Sequence, residues 1–500
     1  MKRYLAMLLI FATLFVFFAC AKDTDDDNAV TTTGSSEEQP DATGDETKYE
    51  SDDLPAGLNF GEQVINVVSS DRDWYEDEVA VSDPSGDIVD NAVYERNLAV
   101  ETRLGVKINN VKIPYANSNS STVDAVKKAV LADVADYDVV FANAYVSLAA
   151  STTGIYHNLY DVDYLDLEKS YWMQGFNRTV EFQGAQYAAT GAIALSTMRF
   201  AFVTFFNKNI FDDKGIEYLY TPVREGKWTL DYQYAIIKDL YEEKNGNGIP
   251  DAGDLYGFIS NDYICTDPYW LGCEVPIIGR DADGYYTYVL ETEKLSNLVD
   301  KLLLLYNAAG TFNIKHLAAD AEQNDIRTMF ANGLGAMTTL RLMEAEHADM
   351  RNMTDLYGIV PMPKFSEAQE NYHTHMHDQF TVVSVVSTVK EDQFEYVGAF
   401  LEAMASESVK TVVPAYYETA LKYRYLANPE SWDMLDLVIN NTETEAGILY
   451  YSSLSKVHEN LRTIMQNRTN SVASVMKTTS KVLIKNVETL NDNLSKIGRN

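Results

Sequence analysis

Cysteine, positive charge and long apolar runs are all scarce in this 500-residue chain, and each scarcity removes a class of protein. Of three cysteines only Cys265 and Cys273 lie beyond the first twenty residues, so a disulfide-stapled small-domain scaffold is excluded. Their spacing is too wide for a redox or zinc pair and leaves either one bridge or two buried thiols. With 40 basic against 74 acidic residues the net charge is −34, which argues against nucleic acid or an anionic membrane surface as partner. Beyond residues 4–18 no stretch is long and apolar enough to cross a bilayer. Hydrolytic and nucleotide signatures are missing too. There is no Gly-x-Ser-x-Gly elbow, no His-Glu-x-x-His and no phosphate loop, and Gly333-Leu-Gly335 lacks the third glycine of a dinucleotide fingerprint. A glycosidase needs only two carboxylates at the right separation, so among 74 acids that class stays open.

What the chain has begins with Lys2-Arg3, an uncharged run over 4–18, and Ala19-Cys20 followed by a strongly acidic stretch. The run is too short for a span and reads as an export signal. Its Ala-Cys ending resembles a bacterial lipoprotein signal, in which the Cys20 thiol carries the lipid and becomes the mature N-terminus. From 21 to about 53 there are twelve acidic residues against Lys22 and Lys48, a composition that predicts a disordered tether reaching residue 58.

Folded structure is expected from about Phe60. Residues 63–68 form a β-branched run, 87–104 carry apolar residues at helical spacing closed by Gly105, and 106–113 alternate like a strand. A helix over 121–131 and a strand over 137–141 follow. Strand, helix, strand, helix, strand predicts an α/β fold with a parallel sheet, whose ligands sit at the carboxyl ends of the strands. Asp71, Trp74, Asn143 and Tyr145 are therefore candidate binding residues. The middle is mostly helical, clearest at 230–243 and 292–307, with strands at 335–340 and 357–361, a return strand at 380–386, and helix from 393 onward.

Two local motifs suggest metals. Glu243, Asn245, Asn247, Ile249 (through its carbonyl), Asp251 and Asp254 fit the oxygen-ligand spacing of a twelve-residue Ca2+ loop, with Gly248 at the sharp turn; a polar Asn-Gly turn is the alternative. His373, His375 and His377 alternate and could chelate a transition metal, though an exposed linker with incidental histidines is the expectation. The chain also carries 33 tyrosines. Rings beside polar residues, at Trp74-Tyr75, Tyr171-Trp172, Tyr269-Trp270 and Tyr416-Tyr417, suit the stacking of sugar faces, and about a third of them should face a cleft.

Several blocks, in this order, together resemble a known family. They are Gly86-Asp-Ile-Val-Asp-Asn-Ala-Val-Tyr-Glu-Arg-Asn97, Tyr137-Asp-Val-Val-Phe141, Phe205-Phe-Asn-Lys208, the calcium-like loop running into Asp254-Leu-Tyr-Gly-Phe258, Tyr357-Gly-Ile-Val-Pro-Met-Pro-Lys364, and Val413-Pro-Ala-Tyr-Tyr417. The family is the extracellular solute-binding lipoproteins of bacterial ABC importers, of the carbohydrate (family 1-like) type. The resemblance implies a periplasmic-binding-protein type II fold of two α/β lobes, 59–203 with 365–412 and 204–364 with 413–500, joined by crossing hinge strands. It implies Phe205–Lys208 as the first crossing and 380–386 as a later one. Asp71, Trp74, Asn143, Tyr145, Trp270, Arg341, Tyr416 and Tyr417 would contact the solute, and Arg341 would either suit an acidic sugar or another anion or be a salt-bridged hinge residue. The expected protein is a lipid-anchored monomer on the outer face of the cell membrane. It captures a sugar, hands it to permease subunits, performs no catalysis, and needs no cofactor beyond a structural Ca2+. A surface glycoside hydrolase and a glycan-binding adhesion protein are the alternatives.

Overall fold

The computed structural model describes residues 49–75, 77–314, 321–425 and 429–497. The signal, Cys20 and the tether as far as residue 48 lie outside the described residues. In chain order the strands are β1 (Gln63–Ser70), β2 (Val106–Ile113), β3 (Val139–Asn143), β4 (Phe202–Asn207), β5 (Tyr241–Glu242), β6 (Leu255–Asn261), β7 (Ile278–Arg280), β8 (Tyr286–Tyr288), β9 (Thr311–Ile314), β10 (Gly335–Arg341), β11 (Tyr357–Val360), β12 (Thr374–His375), β13 (Thr381–Val385) and β14 (Thr442–Glu443).

They build two principal sheets. The first has the order β13-β3-β1-β2, with β1, β2 and β3 parallel and β13 antiparallel to β3. The second runs β11-β4-β10-β6-β5, with β9 also on β6; β6, β9 and β10 are parallel, and β4 is antiparallel to both β10 and β11. Every residue of β3, β4, β6, β10 and β13 is buried, which explains why these segments read as continuous apolar runs rather than alternating ones. The helix Ile88–Leu104 covers the first sheet. Asp87 caps it by accepting from Val89 N (2.9 Å), and Gly105, at φ 59°, ends it in the left-handed region where a Cβ would also meet Asn59 Oδ1 at 2.6 Å.

Four expectations are corrected by this arrangement. Phe205–Lys208 is not a crossing: Phe205, Phe206 and Asn207 sit inside the second sheet, paired to β10 and β11, because all-buried β-branched and aromatic residues complete that sheet's core. The crossing lies just upstream, where Ala201 bridges Met376 and His377 N donates to Phe200 O (3.0 Å), so the outgoing and return passes brace each other. The helix expected over 230–243 ends at Ile237, because the chain turns to pair Tyr241 with Tyr256. Residues 50–54, assigned to the tether, are docked: Arg103 pairs with buried Asp52, Lys169 with Asp53, and Leu54 is 8% exposed. The 373–377 segment is no exposed linker. His375 and His377 are each 3% exposed, stacked on or edge-on to Phe202, and among the described residues no cluster of His, Cys, Asp or Glu is arranged to hold a metal. Cys265 and Cys273 are buried thiols with no disulfide between them.

Candidate functional site

The carboxyl ends of the parallel strands of both sheets meet along one closed seam. The loop after β1 carries Arg72, Trp74 and Tyr75; β3 ends at Asn143, followed by Tyr145; β6 ends at Asn261; β10 ends at Arg341. The two sheets touch through these residues. The Arg341 guanidinium lies 4.4 Å from the Trp74 ring centre and Arg72 lies 3.4 Å from it, so one ring receives a cation from each side of the seam. Trp74 is further held edge-on by Phe200 (5.5 Å) and His377 (6.2 Å) at the crossing. Arg72 donates to Asn119 Oδ1 (2.9 Å) and Gln379 Oε1 (2.8 Å), which fixes its angle.

A second contact joins Tyr145 to Tyr451, with ring centres 4.8 Å apart, and Tyr451 to His458 at 4.8 Å. Burial raises the Tyr145 hydroxyl above its ordinary value, so it remains a neutral donor and acceptor. Beneath the second sheet's edge Arg462 stacks on Tyr263 (4.3 Å) and pairs with buried Asp267, while Asp262 accepts from Asn313 Nδ2 (2.9 Å) and Arg468 Nη2 (3.2 Å). Burial pushes Asp378 up to about 7. His377 is held well below its ordinary value by burial and then by the charges of Arg341 and Arg462, so it stays neutral.

The polar atoms left over point to a ligand. Asn143 Oδ1, Asn261 Nδ2, Asn313 Oδ1, Arg341 Nε and Nη1, and Arg468 Nη1 are buried without a hydrogen-bond partner among the described residues. Native interiors pair nearly all such groups, and three of the residues that carry them here, Asn143, Asn261 and Arg341, are the last residues of their strands.

Among the sequence candidates, Trp74, Asn143, Tyr145 and Arg341 are brought together. Asp71 sits at the rim, accepting from Tyr115 N (2.6 Å). Trp270 is 1% exposed and belongs to the second sheet's core. Tyr416 donates to Glu346 (2.6 Å) and closes a separate cavity of about 240 Å³ with Asp73, Asp77 and Arg199. Tyr417 turns away to Asp436. The sequence reading passed over Arg72, Asn261, Asn313, Tyr451, Arg462 and Arg468. For Asn261 a signal existed, since it ends a buried strand as Asn143 does.

The 243–254 loop closes on itself. Asn245 and Asn247 donate to Asp251 (2.8 and 2.6 Å), Glu243 accepts from Gly246 N (2.6 Å), and buried Asp254 accepts from Lys244 N and Tyr241 Oη, each at 3.0 Å. Gly246 and Gly248 turn it at φ 77° and 70°. The side chains carry oxygens of the kind a hard cation takes, but here they accept bonds within the loop, and among the described residues Glu243, Asp251 and Asp254 are not arranged as a metal cluster.

Neither a protein-family model nor a curated protein sequence matches the chain. Solved structures do. A sugar transporter of Rhizobium etli in an open conformation aligns at TM-score 0.55 and 14% identity, over 85% of this chain and 99% of its own. An ABC-transporter solute-binding protein of Thermotoga lettingae bound to α-D-tagatose aligns at 0.51 and 13%, over 86% and 100%. An ABC-transporter-associated binding protein of B. animalis subsp. lactis in complex with β-1,6-galactobiose aligns at 0.51 and 14%, over 88% and 98%. Two sheets joined at braced crossings, matched over nearly the full length of these proteins, give the chain the two-lobed α/β fold of the periplasmic binding proteins.

Proposed function

We propose that the protein is an extracytoplasmic receptor of an ABC importer, holding a carbohydrate in the cleft between its two sheets and presenting it to membrane permease subunits. The observation that carries this reading is the set of buried polar atoms without a partner among the described residues at the ends of strands of both sheets, Asn143 Oδ1, Asn261 Nδ2 and Arg341 Nε and Nη1, the last beside the Trp74 ring. Sugars satisfy such a site with hydroxyls on the polar atoms and an apolar face on the ring. Sugar-bound proteins of the same fold add support. Capture requires only hinge closure about the Ala201–Met376 crossing, with no covalent step. The receptor acts as a monomer, anchored on the outer membrane face by lipid on Cys20.

Ca2+ belongs to the same proposal. Glu243, Asn245, Asn247, Asp251 and Asp254 would hold it with the Ile249 carbonyl, bracing the connection between β5 and β6. A chelator should then lower the unfolding midpoint and added Ca2+ restore it; an unchanged midpoint removes the ion.

The test of the receptor is thermal unfolding against mono- and oligosaccharides, followed by chromatography of the recovered sugar. A saturable rise with unchanged sugar is expected. Appearance of a cleaved product would replace the receptor with a glycoside hydrolase.

A further inference from the structure

We propose that the cleft selects solutes bearing an anionic group, a carboxylate or phosphate on a polyol, and that Arg341 recognises that group. The inference rests on the reading of the cleft as a solute site and narrows its chemistry.

Arg341 is the last residue of β10 and is 2% exposed. Its Nη2 donates to Glu344 Oε1 (3.0 Å), while Nε and Nη1 find no partner among the described residues. A buried guanidinium whose donors no protein group accepts is costly unless something else accepts from them. Glu344 does not offset Arg341 alone. Its other oxygen accepts from Arg327 Nη1 (2.6 Å), so one buried carboxylate is shared by two guanidiniums. The next carboxylate toward Trp74, Glu346, is committed to Arg199 through two bonds of 3.0 Å.

Trp74 does not use the idle donors either. Its ring takes the guanidinium face at 4.4 Å and leaves the N–H edges free. Arg72 approaches the same ring from the first sheet, so two guanidiniums share one aromatic surface. A neutral sugar hydroxyl accepts weakly from such donors. A carboxylate or phosphate forms shorter, charge-assisted bonds and offsets the repulsion between the two cations. His377, which faces the same ring, is neutral and provides no competing charge.

The experiment is calorimetric titration of the purified chain with matched probes: digalacturonate against neutral galactobiose, glucose 1-phosphate against glucose, and inorganic phosphate alone. The charged member of at least one pair should bind about tenfold or more tightly than its neutral twin. Which pair shows it separates carboxylate from phosphate. Arg341→Gln should erase the preference, weakening the charged member of the pair far more than its neutral twin, and Arg341→Lys should retain part of it. The wild-type comparison stands even if a variant fails to fold. Equal or tighter binding of the neutral twins, or a preference that survives Arg341→Gln, overturns the anion inference and leaves the sugar receptor intact. Inorganic phosphate binding as tightly as glucose 1-phosphate keeps the anion and overturns the sugar. Silence from every probe in a folded sample counts against both.

Discussion

Replacing Glu402 by Gln should change how the stability of the fold depends on pH. Glu402 is fully buried in the helix Phe394–Lys410, where Tyr171 Oη donates to one oxygen, and Trp172 Nε1 (3.1 Å) and Asp166 N (3.2 Å) donate to the other. Burial raises its carboxyl from 4.5 to about 7 despite these donors. Because the folded value is the higher one, the contribution of this group is fully present below the unfolded value and is lost as pH rises through about 7. Those two values place the loss at roughly 2–3 kcal/mol between about pH 5 and pH 8. Glutamine keeps the shape. Its oxygen can accept from Trp172 and Asp166 while its NH2 donates to Tyr171 Oη, and it does not titrate. Urea unfolding followed by tryptophan fluorescence at several pH values should show the pH-dependent loss reduced by about 2–3 kcal/mol in Glu402→Gln. Parallel stability curves for the two proteins would refute the reasoning, since they would mean that the three donors keep Glu402 ionised throughout.

Trp74→Ala should weaken sugar binding by about tenfold or more while leaving the unfolding midpoint nearly unchanged, since the ring is only partly buried; calorimetry and a thermal melt check the two halves. Cys265 and Cys273 should react with a thiol reagent only after denaturation, and reductant should leave the melting curve unaltered. Gly358→Ala should cost about 1–3 kcal/mol, read by chemical denaturation, because its Cβ would meet Tyr220 Oη at 2.2 Å and the Phe206 ring at 2.6 Å.

The first sheet was legible because its signals are local. β-branched runs, a helical period and Gly105 mark β1, the helix Ile88–Leu104 and β2 without reference to anything distant. The second sheet was harder. Phe205–Lys208 carries no sign of which sheet it joins, because an all-buried strand looks the same in either, and only pairing with β10 and β11 decides it. The histidines misled for a related reason: polar residues in alternation suggest an exposed linker until Phe202 is found stacked on His375. At the site, Trp74, Asn143, Tyr145 and Arg341 could be nominated because strand ends are predictable. Tyr451, Arg462 and Arg468 lie more than a hundred residues from any strand they serve, and no spacing rule reaches them.

The sequence by itself determined the α/β class, the lack of a disulfide framework and the places where buried strands end, because composition and short-range periodicity carry that information. Tertiary structure alone decided that Arg72 and Arg341, 269 positions apart in the chain, share one indole ring, that Glu344 is divided between two guanidiniums, and that Trp270 and Tyr417 stay outside the cleft. Those facts depend on how two sheets close on each other, and the chain encodes that closure only through the summed packing of residues remote in sequence.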